Sequence, residues 1–266
     1  MDVSLKQEHT PPAERLAKRH SGWLLPVSIL LALAIWEALA RWGGLPAFIL
    51  PSPELFLQKL LQSLGDGTLL RHTLVTLGEV LAGLMLGGNL AVLLGYLLSR
   101  SALVEKILSP YLVASQAVPV AAIAPLLIIW FPGQIAKVLI CALTVFFPVM
   151  VNTAVGMRAV PENLRDLMRS LHATPGQMLR HLELPAALPV LLGGLRIGAT
   201  LSVIGAVVGE FVSSDRGLGF LINIGRGQYD TALVFVAIFA LMVMAMSLYG
   251  MVVLLEKRLL KWRQTN

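Results

Sequence analysis

Six stretches of this 266-residue chain are apolar over most of the length a helix needs to cross a bilayer. That length is about 20 residues. The stretches are Leu24 to Leu39, about Leu74 to Leu98, Pro110 to Trp130, Ile135 to Met157, Leu188 to Val212, and Leu233 to Leu255. In hydrocarbon each backbone N–H and C=O must be bonded within the segment, so single runs of this kind fold as helices. The expected fold is therefore all-α, a polytopic membrane helical bundle of six transmembrane helices. Composition agrees. Hydrophobic residues make up 56% and charged residues 14%, against about 25% charged in a soluble domain. That balance excludes a disordered chain, a nucleic-acid module and an ordinary soluble enzyme. The net charge of +6 reads as basic cytoplasmic loops, not as nucleic-acid binding.

Lys and Arg mark the cytoplasmic side. Residues 1–22, 99–108, 157–182 and 256–266 hold fourteen of them, and the opposite side holds six. Both termini are thus expected in the cytoplasm of a multi-pass plasma- or inner-membrane protein. The division is a cytoplasmic tail 1–22, a first transmembrane helix 23–42, an outer loop 43–72, a membrane core 73–256 and a cytoplasmic tail 257–266. Within the outer loop, Glu54 to Leu64 has the apolar spacing of a surface helix. No small-residue cleavage pattern follows the first stretch, so it reads as an uncleaved anchor. The single cysteine, Cys141, excludes a disulfide within the chain.

The segment 160–185 is longer and more organised than a simple connection. Pro161 suits a first helical turn. Leu164, Leu167, Met168 and Leu171 then recur at i, i+3, i+4 and i+7 and make one apolar face, with Arg165, Asp166 and Arg169 elsewhere. Thr174 reads as an N-cap, with Pro175 after it and Gln177 completing a capping box. A second short helix, about Pro175 to Leu182, is expected to stop before Pro185. Such a projection could lie on anionic lipid or seat its apolar face in a partner's groove.

The order of residues in this segment resembles the EAA loop of ABC importer permeases. Asp166-Leu167-Met168 stands at the acidic start and Leu182-Glu183-Leu184-Pro185 at the end, at the separation the family shows. His172 departs from the pattern, since the family usually has glycine there; the turn is then expected either without a left-handed residue or with histidine forced into that conformation. Pro125 to Phe131, Phe146 to Val149 with Asn152, Gly209-Glu210 and Gly217-Leu218-Gly219 are similar to the branch of taurine, sulfonate and nitrate permeases. Asp166 to Leu171 and Val203 to Glu210 look closest to permeases for riboflavin or a thiamine precursor. The resemblance implies a type I (MetI-like) permease fold for 73–256, with 160–185 as the loop that couples to ATPase subunits. It implies further partners: an extracytoplasmic solute-binding protein, a second copy of the chain and the lipid bilayer.

No phosphate-binding loop is present. The nearest match, Gly193 to Thr200, has Ala199 where lysine is required. The chain is thus expected to be a non-catalytic subunit without cofactor, with ATP used by a separate ATPase. An intramembrane enzyme is the competing class. It would need clustered nucleophile or metal ligands, whereas His9, His20, His72, His172 and His181 fall in tails and loops without ligand spacing. A secondary transporter working alone would show internal repeats, and none is visible.

Two rows of small residues recur every four positions: Gly83, Gly87, Ala91 and Gly95, then Gly194, Gly198, Ser202 and Ala206. They suit close helix packing, either static or sliding. Ionisable groups within spans are functional candidates by default. These are Glu37, Glu79, Lys137, Arg196 and Glu210, and an ion pair or gate between Lys137 and Glu210 is one expectation. Gln116, Thr144, Asn152 and Ser202 could face a pathway or bond across helices. Basic groups are few in the last four stretches, which favours a vitamin-type solute over an anion such as a sulfonate.

Overall fold

A computed structural model describes residues 12–261, with side chains from Pro26 onward apart from Ala102, Val113, Ser115 and Gln116. Among the described residues every regular element is helical. They are α1 (Pro12–Trp42), α2 (Pro53–Gly65), α3 (Thr68–Arg100), α4 (Ala102–Gln116), α5 (Val120–Trp130), α6 (Gln134–Arg158), α7 (Glu162–Ser170), α8 (Pro175–Met178), α9 (Leu184–Val212), α10 (Leu218–Gly227) and α11 (Thr231–Leu259). Most of the expected tail 1–22 lies outside the described residues or within the start of α1, which begins at Pro12.

Four helices among the described residues are long and apolar enough to cross a membrane: Thr68–Arg100, Gln134–Arg158, Pro175–Val212 and Thr231–Leu259. They correspond to the second, fourth, fifth and sixth apolar stretches. The first stretch lies within α1. The third is not one helix. It is divided at Ala117–Pro119 into α4 and α5. Pro119 has no N–H to give, its ring would strike the carbonyl one turn back, and it drives Val118 out of helical geometry. At 11 residues, α5 is about 16 Å long, half of the roughly 30 Å hydrocarbon core.

The centre of the bundle is α6, clasped between α3 and α9. Both small-residue rows face it. A Cβ on Gly87 would fall on the Ala142 carbonyl, and one on Gly95 would stand 2.6 Å from the Met150 oxygen. On the other side a Cβ on Gly194 would lie 2.6 Å from Asn152, and one on Gly198 3.0 Å from the Val149 side chain. Without hydrophobic drive between helices in lipid, such backbone approach supplies the packing energy. α11 closes against α9, and the expected surface helix α2 packs on α3 and α11 through Phe56 and Leu60. Ser52 caps α2, accepting from the Leu55 N–H at 3.3 Å. α1 is attached more lightly: the Trp36 indole N–H donates to the Pro51 carbonyl at 3.0 Å, and its ring lies against Phe56 and Phe235.

Candidate functional site

Two places gather the residues singled out above, one at each end of the bundle. The first is the 160–185 segment. α7 and the Leu171 that caps it carry Leu164, Leu167, Met168 and Leu171 on one face; Met168 is half-buried, while Leu167 is 55% and Leu171 68% exposed among the described residues. Asp166 accepts from Arg169 at 2.8 Å, and Arg169 also reaches Glu162 at 2.9 Å, so a charged fringe borders the apolar face. These hydrogen bonds, Asp166 first, hold the Arg169 guanidinium above its ordinary pKa.

The turn after α7 is closed by two backbone bonds, His172 N–H to the Arg169 carbonyl at 2.9 Å and Ala173 N–H to the Met168 carbonyl at 3.0 Å. This is a Schellman ending. His172 has a φ of 54°, so the histidine adopts the left-handed backbone that glycine favours. Thr174 then caps α8 with both halves of the capping box formed: its hydroxyl accepts from the Gln177 N–H, and its own N–H donates to Gln177 Oε1 at 2.8 Å.

The expected stop before Pro185 is not there. α8 passes through a π-helical turn, Leu179–Glu183, straight into α9. The Leu184 N–H bonds the Leu179 carbonyl, five residues back. Pro185 falls in the first turn of α9, where a missing N–H is tolerated.

Sequence reasoning missed what fastens this segment to the bundle. Glu183, 2% exposed, receives two hydrogen bonds from Arg100 of α3, at 3.1 and 2.7 Å. Arg165 of α7 stands 3.8 Å from the same carboxylate and donates to the Met157 carbonyl of α6 at 2.7 Å. The signal was an acid directly before an apolar helix, but its partner lies far away in the chain.

The second place is at the opposite end of α3, α6 and α9. Lys137 does not pair with Glu210; its Nζ stands 2.6 Å from Glu79 Oε1 and donates to the Ser214 hydroxyl at 3.0 Å. Glu210 instead accepts from the Thr76 hydroxyl at 2.7 Å and from the Gly219 N–H at 2.5 Å. The Leu218 N–H donates to Thr76 Oγ1 at 2.8 Å, and the Gly217 N–H donates to His72 Nδ1 at 2.9 Å. His72 thus belongs to α3 and not to a loop. A Cβ on either Gly217 or Gly219 would run into the Glu210 carboxyl, which explains the glycines of that turn. A cavity of about 700 Å³ lies alongside, lined by Gln134, Lys137, Glu210, Ser214 and Arg216 among others.

The remaining pathway candidates are dispersed. Thr144 donates to the Cys141 carbonyl at 2.7 Å, Asn152 to Pro148 at 2.8 Å and Ser202 to Ala199 at 2.8 Å, each within its own helix. None of the three lines the cavity beside Lys137 and Glu210. The Gln116 side chain lies outside the described residues. Arg196 pairs with Glu256 of α11 and lies over the Tyr249 ring; Glu37 pairs with Arg41.

Residues 81–261 match the family described as binding-protein-dependent transport system inner membrane component. The chain is 47% identical to the riboflavin transport system permease protein of Chloroflexus aurantiacus, over 90% of this chain and 89% of that one. It is 36% identical to the formylaminopyrimidine transport permease protein of Halalkalibacterium halodurans, over 88% and 94%. It is 30% identical to the taurine transport system permease protein of Escherichia coli, over 94% and 96%.

Proposed function

This chain belongs to the family of binding-protein-dependent transport system inner membrane components, the permeases of ABC importers, and we propose that the solute it passes is riboflavin or a thiamine precursor. In this reading a binding protein delivers the solute and separate ATPase subunits drive the cycle. The chain supplies the passage and the contact with the ATPase, and it has no catalytic step. Both termini and the 160–185 segment face the cytoplasm, and α1 and the α4–α5 pair complete the crossings of a type I bundle.

The observation that carries the role is the capped, exposed apolar face of α7. An amphipathic helix closed at its C-terminal end by the His172 turn, tied to α6 through Arg165 and left with Leu167 exposed suits a groove on a partner, with Asp166 and Arg169 bordering the contact. The solute reading rests on the degree of likeness: the riboflavin permease shares 47% of residues, against 30% for the taurine permease. The deciding measurement is uptake of labelled riboflavin, thiamine pyrimidine and taurine by cells expressing this chain with its neighbouring ATPase and binding protein. Movement of either vitamin compound is expected. Taurine uptake with neither vitamin moving would sink the vitamin reading and leave the permease role in place.

A further inference from the structure

Where α7 meets the foot of α9, one hydrogen bond stands unmade. Arg165 of α7 uses its Nη2 to donate to the Met157 carbonyl at 2.7 Å, and its Nη1 reaches Glu162 at 3.5 Å. Its Nε is buried and makes no hydrogen bond among the described residues. It stands 3.8 Å from Glu183 Oε1. A charged N–H bonded to a carboxylate oxygen lies at about 2.7–2.9 Å, so the pair is roughly 1 Å apart from closure. A buried donor left without an acceptor is unfavourable, and most such groups are paired.

The acceptor has room. Glu183 is 2% exposed, and Arg100 grips it with a fork: Nη1 to Oε1 at 3.1 Å and Nη2 to Oε2 at 2.7 Å. Each carboxylate oxygen can take two donors. Oε1 therefore keeps a place for a second bond on the side where Arg165 stands. Charge does not forbid the approach. Glu162 accompanies Arg165, and the Arg100 side chain is 38% exposed, so water shares its charge.

The position of this gap gives it meaning. Arg100 ends α3, Arg165 lies on α7, and Glu183 closes the π-helical turn that leads into α9. Three elements thus converge on one buried carboxylate, and α7 alone is joined to it incompletely. We propose that Arg165 and Glu183 form a coupling latch: seating of an ATPase on α7 drives Arg165 Nε onto Glu183 Oε1, and the completed bond carries the motion of α7 into α9 while Arg100 holds the same carboxylate to α3. The proposal rests on the reading of α7 as the ATPase contact. Both are positioning residues, and no proton changes hands. Nη2 stays on the Met157 carbonyl, so a small turn of the guanidinium about that bond closes the gap without rebuilding a helix. Until it closes, idle movements of α7 have slack and are not passed on.

Arg165→Lys separates the latch from the charge. Lysine keeps the positive charge, but its single head cannot hold the Met157 carbonyl and Glu183 in the planar arrangement of a guanidinium.

Electron cryomicroscopy of the permease–ATPase complex in lipid nanodiscs, without solute, tests this directly, nucleotide-free and trapped with ADP and vanadate. In the wild type the Nε to Oε1 separation should close to about 2.9 Å on trapping, with both Arg100 bonds kept. A gap unchanged or wider, with the ATPase seated on α7, would overturn the latch and leave the permease role in place. An ATPase seated away from α7 would overturn the latch and the reading of α7 together. Arg165→Lys adds a readout that a merely structural part would not move. That complex should assemble and trap vanadate as the wild type does, while the displacement of the Glu210 end of α9 on trapping falls by about twofold or more. An equal displacement with trapping intact would overturn the proposal. The wild-type maps decide it even where the variant fails to assemble. Because no solute takes part, the result is separate from the uptake experiment.

Discussion

His172 shows how a residue can depart from a pattern while the backbone keeps it. The bonds from His172 to Arg169 and from Ala173 to Met168 need a left-handed residue, and histidine takes the 54° φ. Left-handed geometry costs a residue with a Cβ roughly 1–2 kcal/mol, and glycine loses about 0.5–1 kcal/mol through its looser unfolded chain. His172→Gly should therefore stabilise the turn by about 1 kcal/mol or less. Slower hydrogen exchange at the Ala173 amide and unchanged uptake are the expected readings; a large loss of uptake would give the imidazole a role of its own. From sequence the residue could be marked as a departure, but its φ could not be read, because the bonds that impose it close only when α7 ends. The buried trio was legible to a similar depth. Glu79, Lys137 and Glu210 stand out singly as charges in apolar runs, yet the pairing of Lys137 with Glu79 depends on which faces of α3, α6 and α9 meet.

At the scale of elements, periodicity and caps carried the reading and prolines misled it. The apolar face of α7 and the capping box at Thr174 follow from spacing alone. Pro185 looked like a terminator, but the π-helical turn before it moves the hydrogen-bond register so that no donor is missed. Pro119 was passed over inside an apolar run, and there the helix does break. Hydropathy averages over a window, whereas one absent N–H acts at a single position. The exposed face of α7 gives a sharp test. Leu167→Asp and Met168→Asp each place a charge that must be desolvated in a partner's groove, at a cost of several kcal/mol. The complex with ATPase should weaken by at least tenfold in detergent, with ATP-driven uptake lost in vesicles. Normal uptake by both variants would remove α7 from the contact.

For the whole molecule, one chain presents one 160–185 segment, while ATP sites formed between two ATPases need two such contacts. Two-fold assemblies are the commonest closed arrangement, so purification with the cognate ATPase should give two permeases and two ATPases. A transporting one-to-one complex would refute this. Nothing in a single sequence displays that symmetry, since it lies in surfaces that only a second copy would cover. Within one copy, the uninterrupted passage from α8 into α9 has a mechanical meaning. Pro175–Val212 is a single rod of 38 residues, about 57 Å at the usual helical rise. Near its foot Glu183 stands 3.8 Å from Arg165 of α7, and its head carries Glu210. A tilt of a few degrees imposed at the foot swings the head by several ångströms, at about 1 Å for each degree over such a length. That stroke would prise apart contacts only 2.5–2.7 Å long around the Glu210 carboxyl. A small push at one end of such a rod would become a bond-breaking displacement at the other.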